Sequence, residues 1–186
     1  MVTKSTSRKI PLEINQFLER TGITKRELAK ELHVTSQSIT DWTKPDGKAK
    51  NVTVDNAVRL SEIANDSNLT QTIGYYYLGL PKSMEGGDYS LDLSKLDDLR
   101  ELEEDERDDL QDDKELRRIL CKRIPVNESN YNLVLELARE QAEACIVNNQ
   151  YLFALCELLN MSVMDLTEMY MPRWQKEGYF GGDCNA

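Results

Sequence analysis

The sequence is poor in the residues that bind soft metal ions. It has a single histidine, His33, and its four cysteines contain no C-x-x-C pair. Structural zinc sites need four closely spaced cysteine or histidine ligands, so neither a metal nor another cofactor is expected. Two cysteines lie among apolar residues and are expected in a helical core, namely Cys145 and Cys156. Cys184 lies near a glycine-bearing tail, where it is either an ordinary tail residue or an exposed redox-active thiol.

Long apolar runs and the signatures of common enzymes are also missing. No stretch reaches the roughly 18 consecutive apolar residues of a membrane span, and the N-terminus lacks the pattern of a signal peptide. The chain has no glycine-rich phosphate loop and no G-x-S-x-G motif. We therefore expect a cytoplasmic protein that has no membrane contact and is not an enzyme.

Charge is distributed unevenly along the chain. Residues 1–60 carry eleven Lys and Arg against seven Asp and Glu, a net of +4. Residues 61–186 carry twelve against twenty-six, a net of −14, and the two sum to the −10 of the whole chain. Because phosphates attract positive charge locally, this asymmetry predicts an N-terminal end that faces DNA on an otherwise acidic protein.

Residues 24–42 have the pattern of two short helices joined by a tight turn. Thr24 and Glu27 have the spacing of a capping box, which starts the first helix, and Thr35 is placed to cap the second. Apolar residues suited to the buried faces of the pair are Leu28, Ala29, Leu32, Ile39 and Trp42. The other face of the second helix carries short polar side chains, which suit the reading of base edges in a major groove.

This stretch resembles the helix-turn-helix of the Cro/repressor (XRE) family of phage and bacterial regulators. Ala29 stands where the family keeps a small residue so that the helices cross closely, and Gln37-Ser38-Ile39 matches its recognition-helix pattern. The resemblance covers about residues 10–80. It departs from the family at His33, where glycine is usual, although histidine tolerates positive φ better than most residues. It departs again at residues 43–51, where the loop is longer and more basic.

The resemblance implies which side chains would contact DNA. Those expected to read base edges are Ser36, Gln37, Ser38, Thr40 and Asp41. Among them Gln37 is the strongest candidate, because a carboxamide can pair bidentately with adenine. Those expected to contact phosphates are Lys4, Arg8, Lys9, Lys25, Arg26, Thr35, Lys44, Lys48 and Lys50.

Helical spacing on both sides of the motif predicts an all-α fold of three parts. Residues 1–80 are expected to form a five-helix domain of the repressor type. Its further apolar positions are Ile14, Phe17 and Leu18 on the first helix and Val54, Ala57, Val58, Leu60, Ile63 and Ala64 on a later one. Tyr75–Leu78 is expected to form a last short helix, whose tyrosines either pack at the rim of the core or stack on bases.

The remaining parts differ sharply in composition. Residues 81–115 are expected to form an acidic linker helix, because residues 82–115 hold fifteen Asp and Glu against five Lys and Arg. The alternative is a DNA mimic that covers the basic face and inhibits it. Residues 116–186 are expected to form a helical oligomerisation or partner-binding domain with a loose tail. One of its helices has an apolar face predicted at Leu133, Leu137, Ala138, Ala142 and Cys145.

These features favour a sequence-specific transcriptional regulator. By resemblance, it would bind double-stranded DNA as a homodimer or higher oligomer on an inverted-repeat operator. Repressors of this type that cleave themselves carry an Ala-Gly site, and this chain has no Ala-Gly dipeptide. One alternative is an antitoxin-like protein with a DNA-binding half and a toxin-binding half. Another is an interaction adaptor that does not bind DNA and meets a protein partner through its acidic or C-terminal region, which the carboxylate of Asp41 favours.

Overall fold

A computed structural model describes residues 7–45, 47–84 and 92–180. These residues form nine α-helices and one pair of two-residue strands, which confirms the predicted all-α class. Lys4 and Cys184 lie outside the described residues. Across the described ranges, no helix has both the length and the apolar character that crossing a bilayer requires.

The chain forms two compact units. Unit 1 consists of Met1–Lys82 together with Met161–Ala186, and unit 2 consists of Ser83–Asn160. The bounds differ from those of the predicted domains 1–80, 81–115 and 116–186. The last helix joins the N-terminal unit, and the acidic helix packs within unit 2.

The described residues of unit 1 form six helices and the strand pair. The helices are α1 Pro11–Thr21, α2 Lys25–Glu31, α3 Ser36–Trp42, α4 Val54–Ala64, α5 Ser67–Leu78 and α9 Val163–Lys176. Strands β1 Ser7–Arg8 and β2 Val52–Thr53 pair antiparallel, with Arg8 opposite Val52. Residues 7–80 thus contain the five helices that the sequence predicts, and the strand pair is an addition that no alternating pattern indicated.

Local signals set the end of α1 and the start of α5. Gly22 ends α1 with a φ of 72°, a left-handed conformation that costs glycine little, and its N–H donates to Leu18 O at 2.9 Å. Asp66 caps α5 by accepting from Leu69 N at 2.8 Å. This cap lies nine residues before Tyr75, so α5 is much longer than the short helix predicted there.

The core of unit 1 is apolar and contains most of the predicted residues. The buried residues of this core are Ile10, Ile14, Phe17, Leu28, Ala29, Leu32, Ile39, Trp42, Val52, Ala57, Leu60, Leu69 and Ile73. Tyr76 and Tyr77 pack against it, and the Tyr77 hydroxyl donates to Val52 O at 2.8 Å. Their packing supports the rim position rather than a platform for bases.

Helix α4 corrects part of the predicted core. Val54, Val58 and Ile63 are each more than a third exposed, whereas Ala57 and Leu60 are fully buried. Only one side of an 11-residue helix can face a core, and the residues predicted there span more than that side. The sequence pattern was too broad to select the buried pair.

Helix α9 attaches to the end of α4 through polar side chains. Asn65, which ends α4 in a left-handed conformation, accepts from Ser162 Oγ at 2.6 Å and donates to Asp165 at 2.9 Å. The N–H of Val163 donates to Ser67 Oγ at 2.9 Å. Because Ser162 and Asp165 also form the capping box of α9, the same residues start the helix and attach it to unit 1.

Unit 2 contains α6 Leu93–Gln111, α7 Lys114–Lys122 and α8 Tyr131–Leu158. Helices α6 and α8 pack along each other. Leu96 is fully buried, which matches its place in the predicted leucine stripe, whereas Leu102 is 52% exposed. The acidic run remains helical because α6 is anchored at one side by this packing and supported by ion pairs such as Arg100 with Glu104 at 2.9 Å.

The buried face of α8 matches the predicted one only in part, because Leu133 and Leu137 are half-buried. Its core-facing apolar residues include Ala144, Val147, Phe153 and Cys156, whereas Cys145 is exposed. Ala138 and Ala142 are exposed as well. Successive residues of an α-helix are about 100° apart, so burial of Ala144 turns Cys145 toward solvent. The prediction of a core position is therefore correct for Cys156 and wrong for Cys145.

Candidate nucleic-acid interface

Helices α2 and α3 and the turn between them have the local geometry that the sequence predicts. Thr24 Oγ1 accepts from Glu27 N at 3.2 Å, and Glu27 Oε2 accepts from Thr24 N at 2.9 Å, which completes the capping box of α2. The Thr24 hydroxyl also donates to Glu27 Oε2 at 2.7 Å, and this bond, followed by the one from the Thr24 backbone N–H, lowers the pKa of Glu27. His33 has a φ of 54°, and the next residue, Val34, donates to Ala29 O at 2.9 Å.

The start and the packing of α3 are fixed independently of its exposed face. Thr35 Oγ1 accepts from Ser38 N at 3.1 Å and so caps the helix. Ile39 is completely buried and Trp42 is 7% exposed. Burying two such side chains stabilises the helix by roughly 1.5–3 kcal/mol each. The polar face can therefore vary without loss of the helix.

Four of the five predicted base-reading residues lie at the accessible side of α3. Ser36, Gln37 and Thr40 are exposed, and Ser38 is half-buried. The Thr40 hydroxyl donates to Ser36 O at 2.9 Å, and the Ser38 hydroxyl lies 2.9 Å from Thr35 Oγ1. Gln37 is thus the longest exposed side chain of this face.

Asp41 differs from the other four. Its side chain is 8% exposed, and its carboxylate contacts Lys44 Nζ at 2.5 Å and Lys50 Nζ at 2.7 Å. It also accepts from Gln37 Nε2 at 3.0 Å. These bonds, of which that from Lys44 has the largest effect on the carboxylate, hold the pKa of Asp41 well below its usual range. Asp41 therefore stays ionised and organises its neighbours instead of projecting toward a ligand.

Asp41 also anchors the basic loop that follows α3. Its backbone oxygen accepts from Lys50 N at 2.9 Å. Ala49 is 3% exposed, so the loop is held to the core on one side while Lys48 remains exposed on the other. Two lysine charges against one carboxylate leave this group with a net positive charge beside Gln37.

The other predicted phosphate contacts fall into two groups, one at the start of α2 and one in the segment before α1. Lys25, at the start of α2, donates to Thr43 Oγ1 at 2.6 Å, and Arg26 is exposed. Both belong to the same region as α3. Lys9 donates to Gly47 O at 2.7 Å, which joins the segment before α1 to the basic loop. Arg8 lies in β1, is half-buried and donates to Tyr76 O at 3.1 Å, so it is part of the domain framework.

Sequence reasoning missed two features of this interface, the contacts of Asp41 and the exposed position of Lys30. The contact of Asp41 with Gln37 and Lys44 has a local signal. Gln37, Asp41 and Lys44 follow one another at spacings of four and three, which bring side chains together on a helix and its extension. Lys30 is exposed and lines a groove with Arg26 and Ser36. Lys50, by contrast, reaches Asp41 only because of the path of the loop, which no local pattern specifies.

No protein-family model, curated protein or solved structure matches this chain. The assignment of a function therefore depends on the geometry and charge of the interface itself.

Proposed function

We propose that unit 1 binds double-stranded DNA in a sequence-specific manner and that the protein regulates transcription. The observation that carries the proposal is the combination in α3 of a buried apolar side with an exposed polar side, next to a loop whose lysines are fixed by Asp41. A helix of this kind, preceded by a second helix and a tight turn, suits the major groove.

Gln37 is the residue that we propose reads a base. One N–H of its carboxamide donates to Asp41, which fixes the plane of the amide. The second N–H and the oxygen are the two groups that a bidentate pair with adenine N7 and N6 requires. Asp41 would thus act as a positioning residue, which limits the orientations of Gln37 before DNA arrives.

The surroundings of Asp41 do not support the argument from charge that favoured the adaptor alternative. That alternative depended on a carboxylate repelling phosphates from the exposed face of α3. The carboxylate is 8% exposed and paired with two lysines, so its charge is offset before any phosphate approaches.

Replacing Gln37 by alanine should weaken binding to the preferred site by about 1–3 kcal/mol and relax preference at one base position in each half-site. The measurement is a binding-site selection from random double-stranded DNA, run in parallel for the wild type and Gln37→Ala. Glu31→Ala, an exposed change at the end of α2, is the control and should leave the selected motif unchanged. Identical motifs from wild type and Gln37→Ala would show that α3 does not read the bases.

The basic loop predicts a salt dependence of binding. Replacing Lys48 by alanine should lower the magnitude of the log–log salt slope by about 0.9 for each lost phosphate contact, on every DNA sequence alike. Lys48 is exposed, and Lys95→Ala, which removes an exposed charge from α6, serves as the control. Affinity measured between 50 and 200 mM salt, the range over which such contacts are commonly compared, gives the slope. Equal slopes for Lys48→Ala and wild type would exclude this lysine from the interface.

We further propose that the DNA-bound form is a homodimer joined through α8. An exposed seam of small and apolar residues runs along its first half, and its members are Tyr131, Leu135, Ala138, Ala142 and Cys145. Their spacings of 4, 3, 4 and 3 keep one side of a helix turned toward a partner helix. Tyr131 is 54% exposed and Leu135 is 51% exposed, although both carry large apolar surfaces. A second copy of the same seam is the simplest partner, because most soluble oligomers are symmetric.

A further inference from the structure

Three glutamates come together between α6 and α8, inside unit 2. Glu103 and Glu106 lie one turn apart on α6, and Glu140 lies on α8. One carboxylate oxygen of each lies within 4.8 Å of the corresponding oxygens of the other two. The three side chains range from buried to exposed in the order Glu140, Glu103 and Glu106, so the group is open to solvent on one side.

Two oxygens of this cluster are covered by protein and lack a hydrogen-bond donor among the described residues. They are Oε2 of Glu140 and Oε2 of Glu103. Glu140 is only 5% exposed, and its other oxygen accepts from Arg139. A buried carboxylate oxygen without a donor is unfavourable unless a proton or a cation binds to it.

Among the described residues, the cations beside the cluster are shared with other carboxylates. Arg139 is the cation closest to Glu140, and it is shared with Glu136 at 2.6 Å and Glu143 at 2.7 Å. Arg107, on α6, is paired with Asp108 at 2.9 Å. Burial, followed by the neighbouring carboxylates, raises the pKa of Glu103. Burial likewise raises the pKa of Glu140, against the opposing effect of Arg139.

We propose that Glu103, Glu106 and Glu140 bind a hard divalent cation that joins α6 to α8. All three ligands are carboxylate oxygens, which suit Mg²⁺, Ca²⁺ and Mn²⁺ and select against metals that prefer sulfur or imidazole. Three protein carboxylates leave the remaining coordination positions to water, and the exposed side at Glu106 provides access. The cation would supply the partner that the two covered oxygens lack, and it would stabilise the packing of α6 on α8. This inference does not depend on DNA binding, because the cluster lies in unit 2 and contains no residue of α3.

The test uses the full-length protein and Mn²⁺, whose free ion is detected by electron paramagnetic resonance. The wild type should take up about one Mn²⁺ per chain in a saturable manner, and Mg²⁺ or Ca²⁺ should displace it. Bound ion stabilises only the folded state, so at about 100 times the dissociation constant unit 2 should unfold roughly 5 °C or more higher. Circular dichroism follows helix loss in both units, and tryptophan emission, which reports unit 1 alone, shows which transition belongs to unit 2.

Variants distinguish Mn²⁺ binding at the three glutamates from non-specific attraction of the ion to the acidic surface. Glu140→Gln and Glu106→Gln should each weaken Mn²⁺ binding at least about tenfold, because each removes one of three charged ligands. Glu101→Gln, whose side chain is 70% exposed on α6 outside the cluster, should bind as the wild type does. Glu106 is exposed, so Glu106→Gln keeps the test valid if Glu140→Gln fails to fold. Unsaturated binding at millimolar Mn²⁺, or equal binding by wild type and both cluster variants, would overturn the proposal.

Discussion

Replacing Ile39 by alanine is expected to destabilise unit 1 by about 2–5 kcal/mol. Ile39 lies on α3 and is fully buried in the core of unit 1, so its truncation would leave a cavity in that core. Typical domains are stable by only about 5–15 kcal/mol, so this single change would remove a large share of the total. The proposed DNA binding should fall because less protein is folded, while the preferred sequence should stay the same.

Tryptophan fluorescence can measure this effect in unit 1 alone. The two tryptophans of the chain, Trp42 and Trp174, both belong to unit 1. Urea unfolding followed by their emission should show the shift for Ile39→Ala. Thr40→Ala alters the neighbouring residue at the exposed side of the same helix and should change stability by no more than about 0.5 kcal/mol. If the two variants were equally stable, the packing assigned to α3 would be wrong.

The helix pair α2–α3 was predictable because its determinants are local. The capping box of Thr24 and Glu27 involves residues three apart, and the cap of Thr35 likewise acts within one turn. The left-handed turn at His33 was also anticipated from the tolerance of histidine for positive φ. Sequence reasoning succeeds where the partner of a residue lies a few positions away along the chain.

The features that sequence reasoning missed involve partners that are distant along the chain. Lys50 meets Asp41 only through the path of a loop, and Asn65 meets Asp165 across 100 residues. Ala138, Ala142 and Cys145 were predicted on the apolar face of α8 and are exposed, because an isolated helix pattern does not show which of two apolar sides packs inward. In the same way, the acidic run of α6 gave no sign of a site, since Glu140 lies on another helix.

The acidic helix α6 is therefore part of a packed helical unit, which its composition alone does not suggest. A linker would expose both sides of α6, whereas Leu96 is completely buried and α6 packs along α8. This packing leaves the first half of α8 with its seam exposed on a rigid support. Dimerisation through this seam would bring two copies of unit 1 into one molecule, which the proposed inverted-repeat operator requires.

Replacing Leu135 by aspartate should convert the proposed dimer into a monomer and lower affinity for a two-half-site operator by about 10²–10⁴-fold. The seam would then place a charge against a second copy of itself, and the avidity gained from two half-sites about 10 bp apart would be lost. Light scattering after gel filtration gives the mass, and a gel-shift titration gives the affinity. Leu102→Asp is the matched control, because Leu102 is 52% exposed on α6 while Leu135 is 51% exposed on α8. Tryptophan emission should be unchanged in both variants, which separates loss of the dimer from damage to unit 1. A Leu135→Asp protein that remains dimeric, or a monomer that binds the operator as tightly as wild type, would contradict the role proposed for α8.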